Sequence, residues 1–361
     1  MLRIAITGCG KIADDHASQI KRVNNCSLVA ACDPEPLMVK QFAERFEVTH
    51  QFTELDELLA NAKPDVVHIT TPPQSHYRLA KMCLSYGAHV YVEKPFTVTV
   101  AEAEDLISTA QNSNLRITVG HDDQFSHAAR QMRSLVATGY LGGPPAHIES
   151  HYGYDLVSSP YAKALLGDRD HWVRHLPGGL LQNTISHGIA RIAEFLPSDK
   201  PTVVVNAFVS PQLRRRSEGH IFDELRVIIN ANDEVTAYFT FSSEMRPSLH
   251  QLRLYGHRNG LMLDEDQQIV LRLPGQRRKS YLEKLVSPIE SGLRLVHGGV
   301  TNTGRFLRRD FHVKSGMNFL ITAFYESIRS AQPLPIPYFE ILRVSRIMDA
   351  IFSRIAADSG G

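Results

Sequence analysis

A lysine set between an acid and a proline, at the end of an apolar strand, is the first group in this 361-residue chain placed to move a proton. Val90-Tyr91-Val92 alternates into a strand and Glu93-Lys94-Pro95-Phe96 follows directly. Open α/β sheets bind ligands in the crevice outside the carboxyl ends of their parallel strands. Lys94 in that position can act as an acid or a base. Loss of hydration in a closed cleft, or a positive ligand beside it, lowers an ammonium pKa toward the working pH. Pro95 fixes the turn, and a cis Lys94-Pro95 bond is expected. The same tripeptide also suits a surface lysine that merely ends a strand, so the elements around it decide between the two.

Those elements begin with Leu2 to Thr7, an alternating strand that runs into Gly8-Cys9-Gly10-Lys11-Ile12-Ala13 and a helix to about Val23. This is the G-x-G-x-x-A form of the dinucleotide fingerprint, in the strand-to-helix context it requires. Gly8 permits a tight turn, Gly10 admits a pyrophosphate close to the backbone, and Ala13 allows the helix to pack closely with its N-terminus toward the phosphates. A second strand, Ser27 to Cys32, ends at Asp33, whose carboxylate suits both ribose hydroxyls and repels a 2′-phosphate. NAD is therefore expected over NADP. Further strand and helix alternation leads to Thr71-Pro72-Pro73-Gln74-Ser75-His76, a turn that caps the next helix and lines the cofactor cleft.

Composition narrows the class. With 43% hydrophobic and 21% charged residues and a net charge of +1, the chain can bury large cores, makes two domains, and has no global field for nucleic acid. No run approaches a membrane span, and a cytoplasmic enzyme is the expectation. Cys9, Cys26, Cys32 and Cys83 lack metal spacing and read as reduced thiols. The 17 His form no His-Glu-X-X-His or similar ligand set, so no metal is expected.

The glycine loop, Thr71-Pro72-Pro73 with His76, and Glu93-Lys94-Pro95 occur in the order and spacing of the Gfo/Idh/MocA family of nicotinamide-dependent oxidoreductases, which the chain resembles over nearly its whole length. The resemblance implies an α/β chain. Residues 1–122 would form an N-terminal Rossmann domain with a doubly wound parallel sheet. Residues 123–361 would form a C-terminal α/β domain with a large, open, mostly antiparallel sheet, used for substrate binding and for association into a homodimer or homotetramer. It implies Lys94 as the catalytic lysine, with cofactor contacts from Gly8, Cys9, Gly10, Lys11, Ile12, Asp33, Thr71, Pro72, His76, Glu93 and Lys94. The family's second motif is a glycine pair and a helix bearing Asp, then His four residues on. Here Gly178-Gly179 leads to Asn183 and His187, with the amide where the acid usually stands and Ala190 where a second Asp is common. Residues i and i+4 of a helix share a face. An amide orients a hydroxyl or an imidazole but takes no proton, which leaves acid-base work to Lys94 and His187.

The reading that follows is an NAD-dependent oxidoreductase moving a hydride between a secondary alcohol of a carbohydrate or sugar nucleotide and nicotinamide. A redox-neutral epimerase, eliminase or glycosidase using NAD transiently needs the same residues. A non-catalytic NAD-sensing regulator is a third reading, supported by Asn183 and Ala190. Tyr154 to Pro177 reads as a long irregular binding loop, and Tyr154, Arg169 and Arg174 are its candidate substrate contacts. From Thr202 to Leu273 the pattern is a meander of strands. Residues 276–314 then carry nine Lys and Arg against three Asp and Glu. Leu282, Leu285, Ile289, Leu293 and Val296 recur there at helical spacing. Such a segment suits an anionic membrane surface, a cover over a phosphorylated substrate, or packing on a neighbouring subunit.

Overall fold

The computed structural model describes residues 1–156, 160–216, 218–231, 234–276, 278–311 and 314–359. Arg277 of the basic segment lies outside the described residues. The chain divides into one unit of Met1–Asp122 with Gly316–Arg346 and a second of Asp123–Ser315 with Ile347–Gly361.

In the first unit, strands β1 (Leu2–Thr7), β2 (Cys26–Cys32), β3 (His50–Phe52), β4 (Val66–Ile69), β5 (His89–Val92) and β6 (Ile117–Val119) form one sheet in the order β3-β2-β1-β4-β5-β6. All its pairings are parallel. Helices α1 (Lys11–Ile20), α2 (Pro36–Phe46), α3 (Leu55–Ala62), α4 (His76–Ser85) and α5 (Val100–Asn112) connect the strands. Their apolar stripes explain why the central strands are continuous apolar runs: Val66, Val67, Ile69, Val90 and Val92 are wholly buried. The sequence also writes the start of α5. Thr99 accepts from the backbone N–H of Glu102, and the Glu102 carboxylate accepts from that of Thr99, at 3.3 and 3.2 Å.

The second unit holds α6 (His127–Ala137), β7 (His147–Asp155), α7 (Pro160–Gly167), α8 (Gly179–Thr184), α9 (Ser186–Ala193), β8 (Thr202–Phe208), α10 (Pro211–Arg215), β9 (Glu224–Ala231), β10 (Val235–Ser242), β11 (Glu244–Tyr255), β12 (Asn259–Asp264), β13 (Ile269–Pro274) and α11 (Ser280–Leu307). Its seven strands run β13-β12-β11-β7-β10-β9-β8. Alternation of buried and exposed residues along β9 and β10 gives the sheet one covered face and one open face. The expected meander is interrupted. β7 lies between β10 and β11, antiparallel to β11 and parallel to β10, so the sheet is mostly antiparallel with one parallel pair. Periodicity along each strand is blind to such an insertion from a distant part of the chain.

Two further departures concern local order. The stretch expected to be irregular contains α7 and a 3-10 turn at Trp172–His175. They are held by a cluster in which Leu165 and Val173 are buried with Leu156, Leu180, Val209, Leu213 and Ile221, and Trp172 packs against it. Helix α12 (Ser315–Ser330) and the start of α13 (Tyr338–Ser359) pack with the first unit from Gly316 to Arg346, whereas the sequence reading runs the second domain unbroken from 123 to 361. Burial of Met317, Leu320, Ile321, Phe324 and Tyr325 on one face of α12 supplies the reason.

Candidate active site

In the first unit the glycine loop is shaped by its neighbours. Gly8 has φ +91°, and a Cβ there would come within 2.6 Å of the Thr71 side chain, so a larger residue is excluded both by strain and by space. A Cβ at Gly10 meets nothing within 4 Å. The backbone N–H of Cys9 donates to Asp33 at 2.7 Å, and that of Glu35 donates to the other Asp33 oxygen at 2.9 Å. The loop thereby locks the acid at the end of β2 beside the start of α1, whose N-cap, Gly10, offers no side-chain cap. Open space at Gly10, uncapped helix N–H groups and an anchored carboxylate fit a dinucleotide. Lys11 is exposed and Ile12 half-buried. The Cys9 side chain is buried and burial, then Asp33, pushes its thiol pKa up.

Lys94 lies just beyond β5. It is the one position from Val90 to Thr97 that is not buried. Its peptide bond to Pro95 is cis, as expected. Thr71 is half-buried and Pro72 exposed. His76 and Glu93 are different from the contacts expected of them. His76 is fully buried, with Nδ1 2.9 Å from the Pro95 carbonyl and Nε2 2.9 Å from the Thr71 carbonyl. It braces two loops and has no ring nitrogen left for a ligand. Glu93 is also buried. One of its oxygens lies 2.8 Å from His16 Nε2 and the other accepts from the Lys94 N–H at 3.1 Å.

Behind Glu93 runs a chain that sequence reasoning missed. His16 Nδ1 is 2.8 Å from His68 Nδ1, and His68 Nε2 is 2.8 Å from the Tyr325 hydroxyl. Burial, then His16, holds the His68 pKa well below its usual value. Burial likewise raises that of Tyr325. A His in the otherwise apolar strand Val66-Val67-His68-Ile69 was the available signal, since a buried polar group demands a partner.

In the second unit, Asn183 and His187 are the two positions from Leu180 to Ala193 that are not buried. The single helix expected to carry them is two, α8 and α9, joined at Ile185. His187 Nδ1 stands 3.7 Å from Asp123, and the buried Arg191 stands 3.1 Å from Asp123 and 3.3 Å from Glu265. Burial alone would raise the Asp123 carboxyl, but the charges of His187 and Arg191 bring it down to about 2. Glu265 goes the other way: burial raises it to about 7 against the pull of Arg191. The acid absent four residues before His187 is thus supplied from 64 residues upstream, where helical spacing gives no hint of it.

The candidate substrate contacts fare unequally. Tyr154 packs among Phe241, His250 and Tyr152, with ring centroids 5.9, 5.9 and 6.1 Å away. Arg169 is exposed. Arg174 is corrected to a structural brace. Its guanidinium donates twice to Glu218 at 3.1 Å, to His220 at 3.2 Å and to the carbonyls of Leu165 and Asp168, which leaves no donor for a substrate.

Comparison with known proteins bears on both units. A family model described as "Oxidoreductase family, NAD-binding Rossmann fold" matches residues 2–121. The D-glucoside 3-dehydrogenase of Escherichia coli K12 is 33% identical over 142 residues, 39% of this chain and 40% of that one. The chain spans from 40 to 58% of the length of the curated relatives it matches first. Over 99% of this chain the fold is shared with an NAD binding oxidoreductase from Klebsiella pneumoniae, with 97% of that chain covered, TM-score 0.79 and 17% identity. It is shared over 99% of this chain and 96% of the other with the WlbA dehydrogenase of Bordetella pertussis, crystallised with NADH and UDP-GlcNAcA, with TM-score 0.77 and 16% identity.

Proposed function

We propose that this chain, which belongs to the Gfo/Idh/MocA oxidoreductase family by its NAD-binding Rossmann fold, is an NAD-dependent dehydrogenase of secondary alcohols on sugars or sugar nucleotides. Lys94 carries the reading: it is the one unburied group in a buried run at the carboxyl end of a parallel strand, in the same unit as the glycine loop. The name of the E. coli relative, and the UDP-GlcNAcA crystallised with the B. pertussis protein of the same fold, support the substrate class. When bound, the nicotinamide supplies the hydride acceptor or donor.

Lys94 takes the hydroxyl proton as the alcohol is oxidised and returns it in the reverse direction. The Glu93 carboxylate, fixed by His16, holds the Lys94 backbone, and His76 holds the turn behind it. Asp33 binds ribose hydroxyls and disfavours a 2′-phosphate, which selects NAD. His187 donates to a substrate oxygen, with Asp123 to orient and charge-balance the imidazole, and Asn183 orients without taking a proton. Absorbance of reduced nicotinamide, after mixing the protein and NAD with a panel of sugar nucleotides, free sugars and polyols, tests the reading. NADH accumulation with one ligand is expected, and a changed product without NADH would replace it by a redox-neutral reaction. Lys94→Ala should lower turnover by about 10²–10⁴-fold while NAD binding, followed by fluorescence, stays nearly intact. Full activity in that variant would remove Lys94 from the chemistry.

A further inference from the structure

Helix α11 has no buried residue along its 28 positions. Leu282, Leu285, Ile289, Leu293, Val296 and Val300 follow one another at spacings of three and four, the period of a single helical face. The last five are between 63 and 66% exposed, and Phe306 and Leu307 extend the exposed apolar surface to the helix end. The opposite side fastens the helix to β13. A Cβ at Gly298 would come 2.9 Å from Ile269, Asn302 Nδ2 donates to the Gln267 carbonyl at 2.9 Å, and Arg294 donates to the Arg272 carbonyl at 2.5 Å. A helix packed on a core by an apolar stripe shows the reverse arrangement. At about 1.5 Å per residue the strip from Leu282 to Leu307 is roughly 38 Å long, well beyond the scattered apolar groups of an ordinary surface.

The charge around the strip says what covers it. Residues 278–311 carry seven Lys and Arg against three Asp and Glu. Two of those acids are already engaged, Glu290 with Arg278 at 2.7 Å and Glu283 with Arg278 at 3.8 Å. Beside the strip, between α11 and β13, a cavity of about 390 Å³ has Leu293 in its wall together with Arg272, Arg294, His297 and Arg305. Apolar surface next to a cationic hollow matches an acyl chain next to a phosphate headgroup. A second copy of this helix fits less well. Antiparallel pairing sets Arg305, Arg308 and Arg309 against an end where Arg278, Lys279 and Lys284 outnumber Glu283 and Glu290, and parallel pairing sets like charge on like.

We propose that α11 lies in the surface of an anionic phospholipid membrane, its apolar strip among the acyl chains and its arginines at the headgroup phosphates. The helix rests on the bilayer and does not cross it: among the described residues no helix is long and apolar enough to do so.

The test is sedimentation of the full chain with phosphatidylcholine vesicles, made with or without about one part in three phosphatidylglycerol. The protein should pellet with the anionic vesicles, remain in solution with the neutral ones, and be released by high salt. Ile289→Glu with Val296→Glu should abolish pelleting without moving the melting temperature, because both side chains are exposed. Arg305→Gln with Arg308→Gln should weaken binding on the order of thirty-fold, from about 1 kcal/mol per basic residue near the surface. Wild-type protein left in solution with anionic vesicles, or pelleting equally with neutral ones, overturns the proposal. So does a lipid-free dimer, seen by light scattering, that the Ile289 and Val296 pair dissociates, since a second copy would then cover the strip.

Discussion

Glu93 in the first unit and Asp123 in the second are both carboxylates beside a histidine, yet their surroundings differ. Glu93 is buried at the head of a row of rings, His16, His68 and Tyr325, joined by hydrogen bonds of 2.8 Å. Asp123 is partly open, with Arg191 Nη2 3.1 Å away and the carboxylate of Glu265 3.3 Å from the same nitrogen. The first arrangement holds geometry by hydrogen bonds, each with a modest net value. The second sets charge against charge in a low dielectric, where removing one member leaves the others uncompensated. Rigid support beneath Lys94 and a tuned field beside His187 follow from the two designs.

Breaking the charged cluster should have the largest effect. Arg191 is 2% exposed and serves two carboxylates. Arg191→Met should destabilise the fold by about 3–5 kcal/mol, read as a lowered midpoint in urea. A loss below about 1 kcal/mol would mean that the cluster contributes no more than one hydrogen bond of the ring row.

Glu265 sharpens the contrast through pH. Its pKa is raised from 4.5 to about 7 in the folded protein. Between those values the folded state keeps a proton that the unfolded chain releases, so this group's contribution falls as pH rises through the window. Asp123, lowered from 3.8 to about 2, behaves oppositely: its contribution is present above about pH 4 and lost as the solution is made more acid. Glu265→Gln should therefore flatten stability between pH 4.5 and 7, gaining at most about 3 kcal/mol on wild type at the upper end. Melting curves of the two proteins at matched pH read the difference, and parallel pH profiles would refute the assignment.

The hydrogen-bonded row should yield least. Tyr325→Phe removes the hydroxyl that meets His68 and should cost about 1 kcal/mol, with no added pH dependence from pH 5 to 8 in the same melting assay. A loss comparable to that of Arg191→Met would show that the row acts as one cooperative network.

How far the site could be read in advance depended on sequence distance. Gly8, Gly10, Asp33 and the strand before Lys94 are linked by strand and helix periods, and the structure brings the glycine loop and Asp33 together. His76 and Glu93 were found by the same motifs, but their exposure was not, because burial depends on what packs above a residue. Arg174 resembled a substrate contact as long as Glu218, 44 residues on, was out of view.

The sequence by itself determined the alternation of strands and helices, the glycine loop in its setting, the position of Lys94 and the apolar stripe of α11, since each is written within a few turns of chain. Tertiary structure alone decided that β7 enters between β10 and β11, that α12 joins the first unit, that Asp123 stands beside His187, and that the α11 stripe faces outward. The physical reason is that backbone geometry fixes the 2- and 3.6-residue periods locally, whereas partners tens of residues apart meet only when packing closes the chain between them.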